Sequence, residues 1–114
     1  MSTLASQECT ACRADSPQVG EHEADELLAQ LPEWQMISAS GVPQLERTYK
    51  FRNFADALAF TNKVGELAES LNHHPDISLG WGYVRLIWYT HAISGLHQND
   101  FICAAKSDQL FCES

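Results

Sequence analysis

The sequence predicts an α+β fold: a four-stranded antiparallel sheet with three helices packed on one face, in the order α-β-β-α-β-β-α. Three observations carry this reading. Phe54, Ala57, Leu58, Thr61, Val64, Ala68 and Leu71 recur at spacings of three and four, the period of an amphipathic helix. Leu45, Arg47, Tyr49 and Phe51 alternate with polar neighbours, and Ile77, Leu79 and Trp81 do the same, the period of a strand. Each pair of strand-like runs is joined by a short turn, so no parallel crossover is required and the sheet is antiparallel.

Residues 1–20 show neither period and contain Ser, Pro, Gly and Asp, which predicts a flexible N-terminal arm before a single domain over 21–114. Residues 21–31 place acidic side chains early and Leu27, Leu28 and Leu31 late, a short helix stopped by Pro32. Residues 34–37 and 44–51 flank Ser40-Gly41-Val42-Pro43 and predict a hairpin. Asn53 is placed to cap the long helix, with Asp56 in its first turn. That helix must end before Pro75, which lacks a donor and pushes the preceding residue out of helical geometry. Strands are expected at 77–81 and 84–90, the second rich in β-branched and aromatic residues. A third helix starts near His97-Gln98-Asn99-Asp100 and runs to Phe111.

Fifteen acidic residues against seven basic ones give a net charge of −8, so phosphate backbones are repelled and nucleic acid is not an expected partner. The N-terminus lacks the basic start and apolar run of a secretory signal, and no stretch approaches the roughly 18 apolar residues of a membrane span. A cytoplasmic protein with no membrane association is expected. Cys9, Cys12, Cys103 and Cys112 are then free thiols rather than a disulfide framework. Cys9-Thr10-Ala11-Cys12 has the spacing of half a zinc site or a redox pair, but a full site needs two more ligands, and Cys103 and Cys112 point in different directions on one helix.

Four of the five histidines lie between 73 and 97, and His73-His74 sits at a helix-to-strand junction fixed by Pro75. With an ordinary pKa of about 6.5, histidines can supply an acid and a base to one site near neutral pH. From spacing alone three roles stay open: loop or capping side chains, acid–base catalysis, and metal binding. Adjacent residues face different ways, so His73 and His74 make a poorer metal grip than a pair one turn apart.

Glu69-Ser70-Leu71-Asn72-His73-His74-Pro75, followed by Trp81, His91 and Asp100, resembles the signature of the pterin-4a-carbinolamine dehydratase family. The similarity extends over roughly residues 21–111 and includes Ala59-Phe60 and the stretch from Gly95-Leu96 to Ala104-Ala105. It implies a hydro-lyase that dehydrates 4a-hydroxytetrahydropterin to the quinonoid dihydropterin, after an aromatic amino acid hydroxylase has used the pterin. It also implies a homodimer or homotetramer, no metal, and no cofactor, the pterin being substrate. A second class stays open, because animal members of this family also act as dimerisation cofactors of a homeodomain transcription factor.

Carried across by position, the resemblance assigns His73, His74 and His91 as catalytic and places Glu69, Asn72, Pro75 and Asp100 in the substrate site. Trp81, Tyr89 and Thr90 are expected to line the ring-binding cleft, with sheet packing as their alternative role. His74 and His91 are expected to protonate the departing hydroxyl while His73 assists proton removal. Two departures stand out. Asn72 occupies a position where animal members usually carry Asp, which removes a charge beside the histidines. His97 replaces a frequent Thr at the start of the last helix, which should weaken that cap unless Asn99 takes over.

Overall fold

The computed structural model describes residues 20–90 and 95–112. Its elements are α1 (Glu21–Leu28), β1 (Gln35–Ala39), β2 (Val42–Lys50), α2 (Phe54–Leu71), β3 (Asp76–Gly80), β4 (Tyr83–Trp88) and α3 (Gln98–Cys112). The order and the antiparallel sheet are those the sequence predicts. The strands lie β1-β2-β4-β3, so the two strands richest in large apolar residues occupy the centre.

Alternation decides which face is covered. Leu45 and Tyr49 of β2 and Val84, Leu86 and Trp88 of β4 are all buried, and the pairings Leu45↔Trp88 and Tyr49↔Val84 set them side by side beneath the helices. The opposite face carries polar neighbours such as Glu46 and Arg85, which form an ion pair at 2.8 Å. From α2 the sheet receives Ala57, Phe60, Val64 and Ala68. Phe60 meets Tyr49 at 4.6 Å between ring centroids, and Phe111 of α3 meets the same ring at 4.9 Å. Full burial of a side chain such as Phe60, Val64 or Leu86 contributes about 1.5–3 kcal/mol.

Several details depart from the expected pattern. The buried stripe of α2 runs through Phe60, whereas Phe54 and Leu58 are 44% and 41% exposed, because they stand off the stripe on the flank turned away from the sheet. Helix α1 stops at Leu28, and the chain tightens through Gln30 N–H to Leu27 O (3.0 Å) and Leu31 N–H to Leu28 O (2.8 Å) before Pro32. The first hairpin turn is only Ser40-Gly41, both with positive φ (53° and 79°), so Val42 and Pro43 belong to β2. Trp81 is not a strand residue: β3 ends at Gly80, and Trp81-Gly82 form the two-residue turn into β4.

The ends of α2 carry the functional geometry. Asn53 caps its start, accepting the Asp56 N–H at 2.8 Å, as its sequence position predicts. At the other end Asn72 takes the left-handed conformation (φ 51°, ψ 41°), with Asn72 N–H donating to Glu69 O (3.3 Å) and His73 N–H to Ala68 O (3.1 Å). This pair of bonds is a Schellman stop, and Asn is among the few side chains that accept the backbone it needs. No helix among the described residues is long and apolar enough to cross a membrane.

Candidate active site

The Schellman stop sends two adjacent histidines in different directions. His73 turns inward and is 7% exposed; His74 stays at the surface. Each meets its own carboxylate. His73 Nε2 lies 2.7 Å from Asp100 Oδ1, and His74 Nε2 contacts Glu69 Oε2. An ionised carboxylate only accepts, so both Nε2 atoms are donors and a neutral ring carries its lone pair on Nδ1.

Asp100 is fully buried and draws donors from three parts of the chain. Besides His73 it accepts the Thr90 hydroxyl at 2.8 Å and the His97 N–H at 2.9 Å, both on Oδ2. Thr90 in turn pairs with Gly95 through N–H to O bonds of 2.8 and 3.3 Å in the two directions. The residue that follows Thr90 in the chain is His91, which with residues 92–94 lies outside the described residues. The carboxylate thus ties the end of α2, the end of β4 and the start of α3 into one knot.

Trp88 completes the wall behind His73. The two rings stack at 5.6 Å with 9° between their planes, and the indole N–H donates to Ser107 Oγ at 3.2 Å. Trp88 carries no site signal in the sequence. Its strand alternation marks it as core, and nothing in the pattern shows that a histidine lies over its face.

The start of α3 is capped by the residue expected to weaken it. His97 Nδ1 accepts the Asn99 N–H at 3.0 Å, and Asp100 reaches back to the His97 N–H, a reciprocal capping box with imidazole in place of a hydroxyl. Asn99 supplies the N–H and does not take over the cap.

The other expected positions separate into near and far. Glu69, Asn72, Pro75, Thr90 and Asp100 gather with His73 and His74 at one end of the sheet, where Asp76 pairs with Ile87; Tyr89 directly precedes Thr90 and is half-buried. Trp81 is 70% exposed at the opposite end of β3, five residues and roughly 16 Å along the strand, so the fold does not bring it to the histidines. An open groove of about 670 Å³ runs beside the cluster, lined by Thr61, Asn62, Gly65, Glu66, Glu69 and Ile77. A second cavity of about 520 Å³, between Phe51, Arg52, Asp56, Ala59, Lys63 and Phe111, belongs to the first half of α2 and the end of α3, away from His73. Among the described residues no three His, Cys, Asp or Glu side chains converge as metal ligands. Cys103 is buried and Cys112 exposed; Cys9 and Cys12 lie outside the described residues.

The family model for pterin 4 alpha carbinolamine dehydratase matches residues 17–110. The chain belongs to this family. A Marinobacter nauticus protein assigned by name as a pterin-4-alpha-carbinolamine dehydratase is 53% identical over 111 residues, 97% of this chain and 100% of that protein. A Saccharophagus degradans protein of the same assignment is 50% identical, covering 97% and 98%. Among solved structures, a transcriptional coactivator/pterin dehydratase from Brucella melitensis superposes with a TM-score of 0.75 at 29% identity, covering 82% of this chain and 98% of that one. A pterin dehydratase-like RuBisCO assembly factor of the α-carboxysome superposes with a TM-score of 0.59 at 25% identity, covering 68% and 88%. In this dehydratase-family chain, the pairs His73–Asp100 and His74–Glu69 join residues that carry the resemblance in the sequence, and Thr90 and His97 add further bonds to Asp100.

Proposed function

We propose that this protein is a 4a-hydroxytetrahydropterin dehydratase that works by histidine acid–base catalysis. The observation that carries the reading is the pair of adjacent histidines each bonded to its own carboxylate, His73 to Asp100 and His74 to Glu69, at the edge of an open groove. In the reaction the C4a–O bond breaks, a proton joins the departing hydroxyl to make water, the N5 electron pair forms the C=N bond, and the N5 proton is removed. His74, at the surface, delivers the proton to oxygen together with His91, and His73 assists removal at N5. Each such transfer is worth about 10²–10⁴-fold in rate. Glu69 and Asp100 hold the rings and their tautomers, Tyr89 contributes an aromatic edge to the cleft, and Asn72 and Pro75 fix the junction. The pterin is substrate and no other cofactor enters.

The proposed setting is the cytoplasm, in the recycling of tetrahydropterin for an aromatic amino acid hydroxylase, where a separate reductase must reduce the quinonoid product before the hydroxylase can use it again. A homodimer or homotetramer is proposed as well, because Phe54 and Leu58 leave an apolar flank of α2 exposed in the single chain. A Leu58→Glu variant that sediments as a monomer while the wild type does not supports that assembly; identical sedimentation removes it.

The catalytic reading is tested by following 4a-hydroxytetrahydropterin absorbance in a coupled hydroxylase assay, with wild type beside His73→Ala and His74→Ala. Acceleration by wild type that both variants lose supports it. A folded wild type that gives no acceleration ends it.

A further inference from the structure

Resting on the proposed dehydratase reading, we infer that His97 is a positioning residue of the histidine site, its ring acting as the cap that aims Asp100 at His73. Helix starts ordinarily use Ser, Thr, Asp or Asn to accept an N–H of the first turn. Here imidazole does it: His97 Nδ1 accepts the Asn99 N–H at 3.0 Å, and the His97 carbonyl accepts the Asp100 N–H at 2.9 Å. His97 is 8% exposed, so this bond is made largely out of water. A nitrogen that accepts carries no proton, which fixes His97 as the neutral ring with hydrogen on Nε2.

The bonds form a chain that reaches the proposed site in two further steps. The His97 N–H holds Asp100 Oδ2 at 2.9 Å, and the other oxygen of that carboxylate holds His73 Nε2 at 2.7 Å. Thr90 shares Oδ2 but approaches from the bridge with Gly95 just beyond β4. Thr90 restrains the carboxylate from the sheet side, whereas His97 sets the backbone from which the Asp100 side chain springs. With the ring acceptor gone, the first turn of α3 loosens and Oδ1 no longer meets Nε2 of His73 in one fixed geometry. Small misplacements of this kind cost rate while leaving groups that hold substrate in place.

The experiment uses the full chain, with kcat and KM for dehydration measured beside ¹⁵N spectra of the imidazole rings. His97→Leu removes the acceptor at similar bulk; His97→Thr and His97→Asn restore a capping oxygen. The wild-type spectrum should show His97 protonated on Nε2 alone. His97→Leu should lower kcat by about tenfold or more, leave KM within about twofold, and move the His73 ring resonances, while Thr and Asn keep kcat within about threefold of wild type. A wild-type His97 that carries its proton on Nδ1, a Leu variant with wild-type kcat and His73 resonances, or a Thr variant as impaired as Leu would each overturn the assignment. Should His97→Leu fail to fold, the wild-type tautomer and the Thr and Asn variants still decide. Absence of wild-type dehydration would remove the proposed activity, yet the ring tautomer and the His73 resonances would still test the positioning.

Discussion

His73 Nε2 and Asp100 Oδ1 stand 2.7 Å apart although the residues are 27 positions apart in sequence, and both are buried. The buried half of the candidate site is arranged around this bond. The other carboxylate oxygen is held by Thr90 and His97, and Trp88 stacks on a face of the imidazole.

Asp100→Asn tests what the carboxylate does beyond filling space. The amide keeps the shape but offers both a donor and an acceptor, so it no longer dictates that His73 Nε2 is the protonated nitrogen. Dehydration is expected to fall by roughly 10²-fold, within the range of one acid–base group. Asp100→Ala should in addition destabilise the fold by about 3–5 kcal/mol, the cost of stripping one partner from a buried pair. An Asn variant with wild-type kcat would remove Asp100 from the mechanism.

The exposed pair should behave differently. Glu69 and His74 are 77% and 53% exposed, so changing Glu69 to Gln is expected to leave stability within about 0.5 kcal/mol. Its effect is on rate, a several-fold loss that vanishes when Glu69→Gln is added to His74→Ala, since a carboxylate acting through one histidine has nothing left to act on. Independent losses in the double variant would show that Glu69 works through another group.

Asn72 shows how sequence position can carry a backbone reason. Beside the Asp that animal members are expected to carry here, it raises the question of a missing charge near the histidines. The fold supplies both carboxylates from elsewhere, Glu69 and Asp100, and places Asn72 at φ 51° as the left-handed stop of α2. Asn72→Gly is therefore expected to be neutral or slightly stabilising, whereas Asn72→Val should cost at least about 1–2 kcal/mol and lower activity by displacing His73. Equal melting temperatures for the Gly and Val variants would contradict this.

What the sequence discloses follows from the range of the forces involved. Periodicity, Pro75 and the turn residues are local, and they define the order of elements, the cap at Asn53 and the junction at His73-His74. The partner of each histidine is another matter. Glu69 is within the same helix end and reachable by spacing, but Asp100 meets His73 only because α3 packs across the end of β4, and no local pattern records that. Trp81 fails for a similar reason: its alternation with Ile77 and Leu79 reads as strand, and only the closed turn onto Tyr83 sets it at the far end of the hairpin. His97 reads as a poor cap by side-chain preference because preference tables count hydroxyls and carboxylates, whereas a neutral imidazole has a lone pair in the same place.

Away from the histidines, stability gathers at Asp108 of α3. Its Oδ1 accepts from Arg47 Nη1 at 2.6 Å, Tyr49 OH at 2.5 Å and Trp34 Nε1 at 3.0 Å, joining α3 to β2 and to the segment before β1. Burial first, and then the negative charge of Asp108 and the bond to it, push the Tyr49 phenol well above its ordinary value, with Arg47 opposing. Below about pH 10 the folded and unfolded chains both hold this proton, and the contribution is fully present. Above it the unfolded chain releases the proton and the folded chain keeps it, so stability falls as pH rises, at up to about 1.4 kcal/mol per pH unit from this group. Tyr49→Phe loses one hydrogen bond to Asp108, about 1 kcal/mol at pH 7, but has no phenol to titrate. Urea unfolding at pH 7 to 11 should therefore show the variant weaker at neutral pH, with the gap closing above pH 10 because only the wild type is losing this term. A gap that stays constant to pH 11 would mean the hydroxyl is not held protonated by the fold.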